Sequence, residues 1–68
     1  MNELLFLIEE ALEGGFTARA VKYPIFTEAD TLDGLRQNIR EAVDCHFDEG
    51  QAPQVIRLHI TREEILTA

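Results

Sequence analysis

The sequence predicts an α+β domain in which a three-stranded antiparallel meander is followed by one long helix and a fourth strand. The predicted order is therefore β-β-β-α-β. Residues 30–47 carry apolar side chains at steps of three and four, and residues 4–8 are apolar at every position. A glycine pair at positions 14 and 15 separates that apolar run from a second strand-like run. A helical period, an uninterrupted apolar run and a hairpin signal together favour a small sheet with one helix on it.

The first predicted strand spans residues 4–8, Leu-Leu-Phe-Leu-Ile, with weaker patterning up to residue 12. A strand that is apolar at every position has both faces covered, so we place it in the middle of the sheet. Helix propensity alone would also allow a buried helix over residues 3–13. We favour the strand because Gly14-Gly15 follows at once and a second strand-like run follows that.

The Gly14-Gly15 pair predicts a β-hairpin, since two glycines supply the positive φ angles of a tight two-residue turn. With the glycines at the centre of the turn, Glu10 faces Arg19, and their opposite charges make a favourable cross-strand pair. The second strand then places small and aromatic side chains on one face: Phe16, Ala18 and Ala20.

The third and fourth strands are shorter. Pro24 holds the residue before it in an extended conformation and lacks a hydrogen-bond donor, so residues 25–28 are predicted to form a short edge strand. Residues 55–60 alternate between apolar and polar side chains, the pattern of a half-buried strand. A right-handed crossover through the helix should bring this fourth strand parallel to the first.

The helix predicted over residues 30–47 has a single apolar stripe: Leu32, Leu35, Ile39, Val43 and Phe47. Asp30 or Thr31 can cap its N-terminus, and Gly50 is a natural stop after its C-terminus. Gly34 in the first turn costs about 1 kcal/mol relative to alanine. A capping-box spacing that starts at Thr61 predicts one or two further helical turns over residues 62–66.

One helix can cover only one face of this sheet, and the first strand carries apolar side chains on both. The remaining apolar face, in a chain of only 68 residues, predicts self-association. We expect a homodimer or a higher oligomer, built on the uncovered sheet face or on an edge strand.

The composition excludes several classes of protein. Thirteen acidic residues against six basic ones give a net charge of −7, and the basic residues are scattered along the chain. Autonomous nucleic-acid binding is therefore not expected, whereas an acidic surface suits a basic partner or simply keeps the protein soluble. A single cysteine excludes a disulfide framework. With neither a signal-peptide pattern nor a run long enough to span a membrane, we expect one cytoplasmic domain over residues 1–68.

Three glutamates are weak candidates for catalytic residues in this sequence. Glu9, Glu10 and Glu28 lie on predicted strands, where clustered carboxylates could hold metal ions for a nuclease. Solvated strand positions are the simpler interpretation of all three. We expect no catalytic residue, no metal site and no cofactor.

The cysteine and the two histidines give no better site. Cys45 and His46 are adjacent on the helix and point about 100° apart, which is poor geometry for a nucleophile and its base. We expect Cys45 to be a small packed residue and both His46 and His59 to be half-buried.

Residues 14–47 resemble the N-terminal domain of HicB-type antitoxins. The shared pattern is Gly14-Gly15-Phe16, then Pro24, then Asp30-Thr31-Leu32 and the helical run Asn38-Ile39-Arg40-Glu41-Ala42. The resemblance implies a truncated RNase H-like sheet with one main helix, which agrees with the order predicted above. It also implies a function: a non-catalytic antitoxin that binds and masks a small basic ribonuclease toxin of the HicA type.

The resemblance further implies that acidic side chains at strand ends and at the start of the helix steer the toxin: Glu9, Glu10, Glu28 and Asp30. The sequence also departs from the pattern, with Ala29 in place of the usual glycine and no Pro-Gly turn before the third strand. The eight residues after Ile60 are too few for the DNA-binding module of full antitoxins. The alternative is an orphan HicB-like structural or assembly domain without a toxin.

Overall fold

The computed structural model describes residues 3–62 and 64–67 and confirms the predicted α+β order. Its elements are β1 (Glu3–Glu10), β2 (Phe16–Ala20), β3 (Phe26–Ala29), α1 (Leu32–His46) and β4 (Val55–Thr61). The four strands form one sheet in the order β3-β2-β1-β4. β2 is antiparallel to β1 and β3, whereas β4 is parallel to β1, as the crossover through α1 requires.

The central position of β1 follows from its apolar sequence. Leu4, Phe6 and Ile8 are fully buried on the face under α1, while Leu5 and Leu7 between them are half-buried on the opposite face. The side chains of a strand alternate between the two faces of the sheet, so an apolar run is best placed in the interior of a sheet, where both of its faces are shielded from water. Here β2 and β4 supply the lateral neighbours, and α1 supplies one cover.

The helix is fixed to the sheet by its apolar stripe and begins at a defined cap. Leu35, Ile39 and Val43 are buried. The Oγ1 atom of Thr31 accepts a hydrogen bond from the Gly34 N–H at 3.0 Å. A Cβ atom at position 34 would lie only 3.1 Å from that oxygen, so the glycine that weakens helix propensity leaves room for the cap.

The C-terminal end of α1 differs from the prediction. The backbone of Phe47 is extended, and its N–H donates to the Val43 carbonyl at 3.1 Å. The helix therefore ends at His46. Gly50, with φ of +80°, lies in a separate turn in which the Gln51 N–H donates to the Asp48 carbonyl. The prediction that Gly50 stops the helix is wrong.

The hairpin exists, but its predicted register is wrong. Ala11 and Gly15 close a loop of three residues, with the Ala11 N–H donating to the Gly15 carbonyl at 3.0 Å. Gly14 also donates to the Ala11 carbonyl, so a β-turn is followed by glycines with positive φ. Glu10 consequently faces Phe16, and Arg19 faces Leu7.

This register separates the predicted Glu10–Arg19 pair completely. The difference from the predicted pairing is an odd number of residues, which moves the two side chains to opposite faces of the sheet. Glu10 lies on the helix side, and Arg19 lies on the uncovered side.

The predicted turn of helix over residues 62–66 is not present in the described part of that segment. Arg62 and residues 64–67 are not helical, and Glu63 lies outside the described residues. Thr61 ends β4 instead of capping a helix.

The two hairpin glycines allow a matched test of the loop. Both have positive φ, which costs an alanine about 1–3 kcal/mol in strain. A Cβ at Gly15 would also lie 3.3 Å from the Ala29 carbonyl oxygen, whereas Gly14 faces open space. We expect Gly15→Ala to lower the urea midpoint more than Gly14→Ala. Equal losses would mean that the β3 end does not approach the loop as described.

Candidate partner-binding site

The acidic residues predicted to bind a partner all lie at one end of the molecule. β1 and β3 run in the same direction, because each is antiparallel to β2. Their C-terminal ends therefore lie at the same end of the sheet as the hairpin loop. Glu9 and Glu10 end β1, Glu28 lies near the end of β3, and Asp30 follows β3 directly before the Thr31 cap.

Two of these acids share the uncovered face. Thr17 is paired with Glu9 on one side and with Glu28 on the other, so the three residues form one row across the sheet. Neighbouring strands are about 4.8 Å apart, which places the two backbone positions about 10 Å from each other. Glu9, Glu28 and also Asp30 are exposed. We call Glu9, Glu28 and Asp30 the acidic end.

Glu10 does not belong to that surface. It lies on the helix side of β1, and its Oε1 atom accepts a hydrogen bond from Arg62 Nε at 2.9 Å. Its charge is thus matched by a cation within the chain. The structure separates Glu10 from Glu9 and Glu28, although the four acids remain at the same end of the sheet.

An exposed aromatic residue lies beside the acidic end, and sequence reasoning missed it. Phe26 lies two residues before Glu28 on the same face of β3, and 61% of its surface is exposed. Leu7 contributes a half-buried apolar side chain to the same face. The consecutive Ile25 and Phe26 were the available signal, because only one of two adjacent strand residues can face the core.

Asn38 fixes the position of this surface. Its Nδ2 donates to the backbone carbonyl of Glu28 at 3.0 Å and so ties α1 to the edge strand. An open cavity of about 330 Å³ lies between the C-terminal end of β3 and the hairpin loop. It is lined by the hairpin glycines, two residues of the acidic end and their neighbours: Ala11, Gly14, Gly15, Phe16, Thr17, Glu28, Ala29 and Asp30.

The opposite end of the molecule holds an aromatic group. Tyr23, His46 and Phe47 contact one another edge to face, with ring centroids 4.9–5.7 Å apart. Cys45, His46 and His59 are all exposed, so the predictions of a packed cysteine and half-buried histidines are wrong. Among the described residues, no group of three or more histidine, cysteine or acidic side chains could hold a metal ion.

Two relatives resemble most of this chain. A protein of Archaeoglobus fulgidus is 44% identical over 55 residues, which cover 81% of this chain and 82% of the relative. A protein of Thermotoga maritima is 38% identical over 62 residues, or 91% of this chain and 87% of the relative. No family model and no solved structure matches the chain. None of the described helices is long and apolar enough to cross a membrane.

Proposed function

The chain belongs to the UPF0150 family, the name that both relatives carry, and we propose that it is a non-catalytic protein-binding module of the HicB antitoxin type. Its proposed partner is a small basic ribonuclease toxin of the HicA type in the cytoplasm. The observation that supports this most is the acidic end, where Glu9 and Glu28 flank Thr17 on an uncovered sheet face beside the exposed Phe26. Protein-binding surfaces are enriched in exposed aromatic residues, and polar residues surround such anchors at the rim.

The residues shared with the HicB pattern also have structural roles at this surface. Gly15 approaches the Ala29 carbonyl, Thr31 caps α1, and Asn38 holds β3. Gly15 and Asn38 of the pattern therefore lie against the end of β3 that carries Glu28.

The proposed mechanism has two steps. The acidic end raises the encounter rate with a basic toxin, an effect that weakens as salt increases. Phe26 and the half-buried Leu7 then pack against the toxin and exclude water. The bound domain would cover the positive surface with which the ribonuclease holds its RNA, so inhibition needs no chemistry from the antitoxin.

Co-expression with a small basic ribonuclease of the HicA type, taken from a reading frame next to this gene where one is present, tests the proposal. We expect the two proteins to co-purify, and growth arrested by the basic protein alone to be restored. Phe26→Ala should weaken the complex by tenfold or more, as loss of an aromatic anchor does. Because Phe26 is 61% exposed, the variant should stay folded.

A toxin that is active alone, yet forms no complex and is not rescued, would contradict the antitoxin function. The orphan assembly domain would then be the better account. Nuclease activity of the purified chain with Mg²⁺ or Mn²⁺ would contradict the non-catalytic part. Retention of duplex DNA in a gel shift at physiological salt would contradict the expectation that it does not bind nucleic acid.

A further inference from the structure

The outer edge of β4 differs from the other edge of the sheet. At one side β3 has four residues, is preceded by Pro24, and is tied to α1 through Asn38. At the other side β4 has seven residues without proline and no neighbour on its outer side in the described chain. A long, regular edge strand presents a row of free backbone N–H and C=O groups. We infer that β4 pairs antiparallel with β4 of a second copy of this chain.

The helix leaves apolar side chains of β4 accessible. α1 packs over β2 and β3, and a groove of about 110 Å³ remains between α1 and β4. Ile56 and Leu58 line this groove and are half-buried, and Ile60 in the same row is 47% exposed. A strand added beside β4 would cover this row as well as the backbone groups.

The order of side chains on β4 is symmetric, which a two-fold axis requires. From residue 56 to 60 the sequence reads Ile-Arg-Leu-His-Ile, apolar and basic side chains alternating about Leu58. With the axis at Leu58, Leu58 meets its own copy and Ile56 meets Ile60 of the second copy. A two-fold interface uses the same patch on both partners, so the apolar row of Ile56, Leu58 and Ile60 packs against its own copy, with Arg57 opposite His59 of the second copy.

Charge also favours a second copy at this edge. Two copies with a net charge of −7 repel each other over most of their surfaces. However, four of the six basic residues lie on β4, directly after it, or beside the groove: Arg36, Arg40, Arg57 and Arg62. Arg57 Nε donates to Glu3 at 3.0 Å and Arg62 Nε to Glu10 at 2.9 Å. Basic side chains around β4 therefore offset part of the acidic charge that makes like copies repel each other.

A cysteine cross-link tests both the interface and its register. In a Cys45→Ala background, which removes the only native cysteine, Leu58→Cys should form an intermolecular disulfide on mild oxidation. Directly opposed Cα atoms in an antiparallel pair are about 4.5–5.5 Å apart, within the range that a disulfide spans. The control is Val55→Cys on the same strand. It should stay unlinked, because the two copies of residue 55 would be offset by about 20 Å along the strands.

The mass of the wild-type chain gives an independent readout that needs no toxin. Light scattering after gel filtration should show a dimer that dissociates on dilution from hundreds of micromolar to one micromolar. Ile60→Lys should raise the dimer dissociation constant tenfold or more, and Phe26→Lys, at the opposite edge, should change it less than twofold. A monomer at every concentration, or a dimer that links through position 55 but not 58, would overturn the inference.

Discussion

Replacement of Phe6 by alanine is expected to remove a third or more of the free energy of unfolding. Phe6 is completely buried at the centre of β1, between Ala20 of β2 and Leu58 of β4 and under the helix. Truncation of a buried phenylalanine to alanine costs about 3–5 kcal/mol. The entire stability of a domain this size is only about 3–10 kcal/mol. Urea denaturation followed by circular dichroism should show a midpoint far below that of the wild type.

Phe26→Ala is the matched control, because it makes the same chemical change at a residue that is 61% exposed. Its urea midpoint should stay close to that of the wild type. Similar losses for Phe6 and Phe26 would mean that the two phenylalanines are buried to a similar degree, and the description of the core would be wrong.

The second large effect concerns the acidic end. If the chain binds a basic toxin as proposed, Glu9→Lys/Glu28→Lys should raise the dissociation constant about 100-fold, mostly through slower association. The variant replaces attraction by like-charge repulsion, which costs several kcal/mol at a contact. Surface plasmon resonance at two salt concentrations measures this, and the difference from the wild type should shrink as salt rises.

Glu41→Lys/Asp44→Lys is the control for net charge. Both residues are exposed on α1, away from the uncovered sheet face, and the double substitution changes the net charge by the same amount. We expect only a small loss of affinity. Equal losses in the two variants would indicate that overall charge, and not the acidic end, drives binding. No loss in either would place the toxin on another surface.

The fold could be predicted because its strongest signals are local. The apolar run of residues 4–8 favoured a central strand, and the spacing of four between Leu35, Ile39 and Val43 favoured a helix with one buried face. Their order then left β4 parallel to β1 as the natural connection. Chain order and periodicity are therefore sufficient to predict the order of the elements and the pairing of β1 with β4.

The errors arose where geometry depends on one or two residues. The glycine pair indicated a hairpin but not whether the loop held two or three residues, and that choice moved Glu10 and Arg19 to opposite faces. The ion pairs formed with β4 instead, between Glu10 and Arg62 and between Glu3 and Arg57. Those pairs depend on the parallel register, which the long connection through α1 does not specify.

The candidate site was predicted in part. Chain order placed Glu9, Glu28 and Asp30 at strand ends, and the topology brings those ends together. Phe26 was missed because its exposure depends on which face the short β3 turns to the core. The exposure of Cys45 could not be predicted from the residue type alone. A small apolar side chain is buried only when it lies on the face of the helix that packs against the core.

The parallel pairing of β1 with β4 has a consequence for how the chain is made. Glu3 and Arg57, which are joined by an ion pair, are 54 positions apart, so β1 is synthesised well before β4, its second neighbour in the sheet. At 5–20 residues per second that interval is roughly 3–10 s. Until β4 is synthesised, β1 has a free edge, and β1 is apolar at every position from residue 4 to residue 8. Ribosome pausing in that interval would prolong its exposure to other nascent chains, and an unpaired apolar edge is where aggregation begins.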